Sequence, residues 1–389
     1  MSTLRLRADL RWWPAGALAG AALAVGVAAW LLNWHLGADS AVYRAGALTM
    51  LKGEPLYIRE HLTTLPSWVR LPFTYPPAAA LLFSPLVLVP PGLVWGVIGA
   101  LSVLGLAAVV KVSLRSVNRS VGWPAVAGLT VAAFALEPVW KTVFLGQINL
   151  ILMALVMLDV LVLSARGSRW GGVLVGVAAA VKLTPLIFIA HFVFTGRWKD
   201  GLRALGTFAL LQALMFAVMP ADVVRYWTEA ASDAERIGAT HWIFNQSLNG
   251  MLGRATEVAP WGMPVALAIG ALLAVPAVFL VVRYHRRGEA LAAVLVTAFT
   301  ALLVSPVSWT HHWVWTVPLV VLLLAKRRYW LAAGVVAPLA GCLIMLVPNG
   351  GTTEFGWGPV EIVLGNAYVL VTAVALVVLA ARELRRPSN

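Results

Sequence analysis

Apolar runs follow one another almost from end to end of the chain, each broken by a short polar or basic stretch. A helix needs about 20 apolar residues to cross a bilayer. Ten runs approach or reach that length: 15–32, 93–110, 121–136, 148–163, 204–219, 263–282, 291–304, 313–324, 330–347 and 360–380. Several fall short of it, which predicts spans broken near polar pockets. Two further stretches are ambiguous. Segment 73–89 is interrupted by prolines, and segment 171–194 carries Lys182, Thr184 and Pro185 in its middle. The pattern predicts an all-α polytopic membrane protein of about ten to twelve spans. With no internal repeat or long linker, residues 1–389 read as a single integral domain.

Composition sharpens this. Of 389 residues, 61% are hydrophobic and 12% charged, against about 25% charged in a soluble domain. Cytosolic enzymes, secreted modules and disordered regulators are excluded. The net charge of +13 comes from short basic clusters between apolar runs, not from one continuous face, so it marks cytoplasmic linkers and no nucleic-acid partner. Arg5, Arg7 and Arg11 precede a first run longer than a signal-peptide core, which predicts a retained helix starting in the cytoplasm. All basic linkers fall on the cytoplasmic side if 73–89 is re-entrant or interfacial and 171–194 dips in and returns. The external segments are then 33–72, 220–260, 305–312 and 348–359, and the chemistry is expected there. The one cysteine, Cys342, permits no intrachain disulfide and reads as a small apolar residue.

Polar residues in such a chain need a reason. Asp39 follows the first helix, where it either caps a surface helix or acts as a general base for an attacking hydroxyl; Asp39, Tyr43 and Ala47 would share one helical face. Tyr57, Phe73 and Tyr75 are aromatic platforms or interfacial anchors, and Pro76-Pro77 excludes a regular helix through that motif. Gln147 and Asn149 either bind a ligand's hydroxyls or bridge helices. Lys182 in mid-membrane costs roughly 3 kcal/mol on insertion scales, so it calls for a phosphate or carboxylate partner. Asn245 and Gln246 lie in the long external segment. His311 and His312 are adjacent, without the spacing of a zinc helix and without a paired carboxylate, so no metal is expected and a phosphate or hydroxyl contact is.

Asp39 with Tyr43, Phe73-Thr74-Tyr75-Pro76-Pro77, Gly146-Gln147-Ile148-Asn149, Lys182-Leu183-Thr184-Pro185, Asn245-Gln246-Ser247 and Ser308-Trp309-Thr310-His311-His312 together resemble glycosyltransferase family 87. The motifs occur in family order over most of the chain. The resemblance implies a GT-C fold in the plasma membrane of an actinobacterial envelope, with polyprenyl-phosphate-mannose as donor and a glycolipid acceptor. That acceptor would be a phosphatidylinositol mannoside, lipomannan or lipoarabinomannan, extended by an α-(1→2) link. It implies Asp39 as the catalytic base. By polarity and location, Tyr43, Tyr57, Tyr75, Gln147, Asn149, Asn245 and Gln246 are candidates for holding sugars, and Lys182, His311 or His312 for contacting the phosphate. The first-loop motif lacks the second acidic residue of metal-dependent GT-C relatives, which implies no metal and no cofactor beyond the lipid-linked donor. Another polyprenyl-phosphate sugar such as arabinofuranose, or a lipid or solute transporter, are the competing readings.

Overall fold

The computed structural model describes residues 13–58, 61–119, 121–233 and 235–386; the basic residues Arg5, Arg7 and Arg11 lie outside them. Helices make up the described chain, and the nearest approach to a strand is an isolated antiparallel bridge between Asn245 and Trp309. The first half contains α1 (Trp13–Leu31), α2 (Ala38–Leu51), α3 (Pro77–Leu82), α4 (Val94–Ser116), α5 (Trp123–Ala133), α6 (Glu137–Leu145), α7 (Asn149–Leu158), α8 (Val173–Val181) and α9 (Ile187–Phe194). The second contains α10 (Trp198–Val218), α11 (Pro220–Arg225), α12 (Leu248–Ala255), α13 (Gly262–Arg286), α14 (Ala290–Val304), α15 (Thr316–Ala325), α16 (Tyr329–Ala340), α17 (Pro359–Gly365) and α18 (Ala367–Leu384). One continuous cluster of buried apolar side chains runs from Ala15 to Ala380.

Among the described residues, six helices are long and apolar enough to cross a membrane, and α5 with α6, bent by 83° at their break, form either a broken seventh span or a re-entrant loop. Of four shorter apolar helices, Ala290–Val304, Thr310–Ala325 and Tyr329–Ala340 fall on the remaining expected runs, while Thr184–Phe194 belongs to segment 171–194. Outward faces remain apolar: Leu210 on α10, Leu272 and Val275 on α13 and Val371 and Val374 on α18 are well exposed. Such broad unpartnered apolar surface is stable only against lipid. The chain is a polytopic membrane protein built as a helical bundle.

Neither ambiguous segment forms a simple span. In 73–89, Pro77 starts a helix instead of preventing one, because its missing N–H and fixed φ suit the first helical position. That helix, α3, has six residues and gives way to a 3₁₀ turn over Ser84–Leu88. Segment 171–194 enters as α8, breaks at Lys182 and returns as α9. Both limbs pack on the same end of α10: a Cβ on Gly172 would collide with the Asp200 carbonyl, while Gly201 faces Ile189 and Phe192. The entry is fastened by Asp159, whose carboxylate accepts from Gly172 N (2.6 Å) and Val175 N (2.8 Å). Lys182 is therefore the tip of a re-entrant hairpin.

The basic linkers converge. Arg119 donates to the Ala325 carbonyl, Lys326 pairs with Glu289, and Arg287 and Arg386 bond Glu383. His285 lies within electrostatic reach of Arg197. These groups occupy the end of the bundle opposite Asp39.

Candidate active site

The amino end of α2 is bolted to the carboxyl end of α6. Gly37, in the left-handed conformation, caps α2 and donates its N–H to the Phe144 carbonyl at 3.3 Å. The Trp95 indole donates to the Val143 carbonyl at 2.7 Å. The Phe144 carbonyl, which the helix end leaves unpaired, is thereby satisfied, and the Val143 carbonyl, already bonded to Gly146 N, takes a second donor. Asp39 sits in the first turn of α2 and its side chain makes no capping bond, so the capping alternative drops away. Instead the Asp39 carboxylate accepts from Gln147, and the Lys182 ammonium lies within Coulombic reach. Burial raises its pKa to about 6, more than Lys182 and Gln147 lower it. That value suits a base operating near neutrality.

A chain of hydrogen bonds fixes Gln147. Ile148 N donates to the Tyr43 hydroxyl (3.1 Å), which donates to Gln147 Oε1 (3.1 Å). With its oxygen so engaged, the amide nitrogen is the group left to meet Asp39. The Tyr75 hydroxyl stands 3.2 Å from that of Tyr43. Tyr43 is wholly buried and stacks on Phe83, with ring centroids 4.4 Å apart. Tyr57 lies deeper, donating to the Tyr75 carbonyl at 2.6 Å and packing against Tyr226. Tyr43, Tyr57 and Tyr75 thus have their hydroxyls occupied by the protein, and they build the wall behind Asp39.

Across from Asp39, Lys182 donates to Asn149 Oδ1 at 3.1 Å and to His312 Nε2 at 2.9 Å. An accepting Nε2 puts the His312 proton on Nδ1. Asn149 turns its nitrogen to the His311 carbonyl (3.0 Å), which Thr142 Oγ1 also binds (2.9 Å). The His311 ring lies against that of His312 at 4.8 Å. Both ring nitrogens of His311 are buried without a hydrogen-bond partner among the described residues. Buried polar atoms of this kind are costly unless something else meets them. Asn149, Lys182, Thr184 and His312 are the polar lining of a cavity of about 60 Å³ whose other walls are apolar, Met153, Phe188, Leu302 and Trp315 among them.

Asn245 and Gln246 do different work. Both are fully buried. Asn245 Oδ1 accepts from Ser308 N at 2.9 Å while its nitrogen donates to Thr240 and Pro306 carbonyls. Gln246 Nε2 donates to the carbonyls of Ile243 and Gly365, each at 2.7 Å. Asn245 ties the 240–247 segment to the loop carrying the histidines and Gln246 ties it to the end of α17, so in this arrangement their amide nitrogens are spent on backbone.

Sequence reasoning missed one charged pair. Glu137 is completely buried, bonds Thr310 Oγ1 at 2.6 Å and pairs with Lys141 at 3.1 Å. The Lys141 ammonium also reaches Thr310 Oγ1 (3.1 Å) and lies 3.6 Å from the Phe244 ring centre. Both charges therefore brace the residue just before the histidine pair. Their i,i+4 spacing inside an apolar stretch was the available signal. No three His, Cys, Asp or Glu side chains gather as a metal site among the described residues.

One carboxylate poised near neutral pH thus stands within Coulombic reach of a lysine that itself meets a buried imidazole, inside a membrane bundle. The family model described as Glycosyltransferase family 87 matches residues 73–306. The chain is 34% identical over 91% of its length, and 87% of the relative's, to a Mycobacterium tuberculosis protein named polyprenol-phosphate-mannose-dependent alpha-(1-2)-phosphatidylinositol mannoside mannosyltransferase. It is 32% identical to a protein of the same name from Mycolicibacterium smegmatis, over 88% of this chain and 83% of that one. A Mycolicibacterium smegmatis phosphatidylinositol pentamannoside mannosyltransferase is 32% identical over 82% of this chain and 73% of its own. The chain belongs to glycosyltransferase family 87 and is a membrane glycosyltransferase. No solved structure matches it.

Proposed function

We propose that this enzyme transfers mannose from polyprenyl-phosphate-mannose to the 2-hydroxyl of a phosphatidylinositol mannoside or related mannolipid, forming an α-(1→2) link without a metal. The placement of the Asp39 carboxylate opposite Lys182 and His312 carries the reading. Asp39 takes the proton of the acceptor hydroxyl as its oxygen attacks the β-linked anomeric carbon. The bond from that carbon to the phosphate oxygen breaks in line, its electron pair leaves with polyprenyl phosphate, and the configuration inverts. A phosphate leaves without needing a proton, so one base and cationic compensation suffice. Lys182 supplies that charge, and the free nitrogens of His311 offer further contacts. The basic linkers gathered at the opposite end support placing the Asp39 end on the external face of the plasma membrane.

The test is transfer from synthetic polyprenyl-phosphate-mannose to a phosphatidylinositol mannoside by purified wild type and Asp39→Asn, each with EDTA. Product from wild type alone is expected, with the variant reduced by a factor of about 10² or more. Equal product from both would remove Asp39 as the base. Product only from a polyprenyl-phosphate-arabinofuranose in a donor panel would replace the donor, and loss of wild-type product in EDTA would restore a metal.

A further inference from the structure

At the end of the bundle remote from Asp39, the last turns of α13 and Arg386, just beyond α18, line an open cavity of about 840 Å³. Its inner wall is Val278, Phe279 and Val282; its rim is Arg283, Arg286, Arg287 and Arg386. We propose that this cavity binds an anionic phospholipid of the cytoplasmic leaflet, its headgroup phosphate among the arginines and the start of an acyl chain along the apolar wall.

Topology alone accounts for arginines at the end of a span, but not for this organisation. Glu383, with a side chain only 5% exposed, pairs with Arg283 at 3.8 Å, with Arg386 at 2.7 Å and with Arg287. A buried carboxylate shared by three guanidinium groups positions them and neutralises one of four charges, leaving a rim of about +3. Two other basic groups at this end have one carboxylate partner each, Arg203 with Asp200 and Lys326 with Glu289, and among the described residues no other carboxylate there is shared by three arginines. Here Arg286 has no salt bridge among the described residues, and the Nε of Arg283 is buried without a hydrogen bond. Phosphate chemistry fits the rim. A free phosphate would use the rim and leave the apolar wall unused, whereas a phospholipid uses both, as basic pockets between membrane helices do.

The protein in detergent is titrated with phosphatidylglycerol, phosphatidylcholine, glycerol phosphate and inorganic phosphate, and bound lipid is counted by native mass spectrometry. Wild type should retain phosphatidylglycerol at least tenfold more tightly than phosphatidylcholine. Arg286→Gln, which leaves every Glu383 contact intact, should lower that preference about fivefold, and Arg283→Gln/Arg286→Gln should abolish it. Unchanged melting temperature and sugar transfer in the single variant would show that the fold survives. Equal retention of the two lipids, unchanged retention in both variants, or inorganic phosphate binding as tightly as the lipid would each overturn the proposal.

Discussion

The ionisation of Asp39 is coupled to Lys182, and this makes the mechanism measurable through pH. With a pKa of about 6, about 9% of Asp39 is ionised at pH 5 and about 91% at pH 7, so transfer should rise about tenfold between them if the carboxylate is the base. The sign follows from the reactive form: the protonated acid cannot accept the hydroxyl proton, so kcat/KM falls as pH drops through 6. Lys182 favours the carboxylate, and one opposite charge at close range moves such a pKa by about one unit or more. Replacing it in Lys182→Gln should therefore shift the acid limb to higher pH by about that amount, in addition to lowering the maximal rate through lost phosphate compensation. The assay is initial-rate transfer from labelled donor between pH 4.5 and 8.5 in detergent, with donor binding followed separately at each pH. A phosphodiester donor does not titrate in this range, so the limb reports the enzyme. A flat profile in wild type, or a limb at the same pH in Lys182→Gln, would refute the coupling.

Three other substitutions separate chemistry from scaffold. His311→Gln breaks no hydrogen bond of its ring, so thermal unfolding should change by less than about 1.5 kcal/mol while transfer falls at least tenfold; a large loss of stability with normal transfer would place His311 in the scaffold. Asn245→Ala removes the acceptor of Ser308 N and two bonds to carbonyls, leaving buried groups unpaired at about 1–3 kcal/mol each. The melting temperature in detergent should fall clearly, with KM for donor unchanged in the surviving enzyme. Asp159→Asn leaves one of two N–H groups at the start of the re-entrant hairpin without a carboxylate oxygen; hydrogen exchange across 171–181 should accelerate, and unchanged exchange would deny Asp159 its fastening role.

Much of the site could be read from the chain because polar groups stand out against an apolar background. Asp39, Gln147, Asn149, Lys182 and the histidine pair were each conspicuous where a hydrophobic residue was the default, and folding brings all of them to one end of the bundle. Residue type alone could not tell a ligand contact from a backbone partner. Asn245 and Gln246 have the amides a sugar site would use, yet those amides meet carbonyls of Pro306 and Gly365 far along the chain. Glu137 and Lys141 escaped notice for the converse reason: an i,i+4 ion pair reads as local support, and only tertiary packing sets it beneath Thr310.

The sequence by itself determined that the chain is helical and membrane-embedded: in lipid only helices and closed barrels satisfy the backbone, and long continuous apolar runs lack the alternation of barrel strands. Its basic clusters also favoured a segment 171–194 that dips in and turns back. Tertiary structure decided how far Lys182 reaches, because that depends on Asp159 and Asp200 holding the feet of the hairpin. It also decided the poise of Asp39. A carboxylate has one intrinsic acidity in water; its value here comes from the protein packed around it and from a lysine 143 positions away in the numbering, brought near only by the fold.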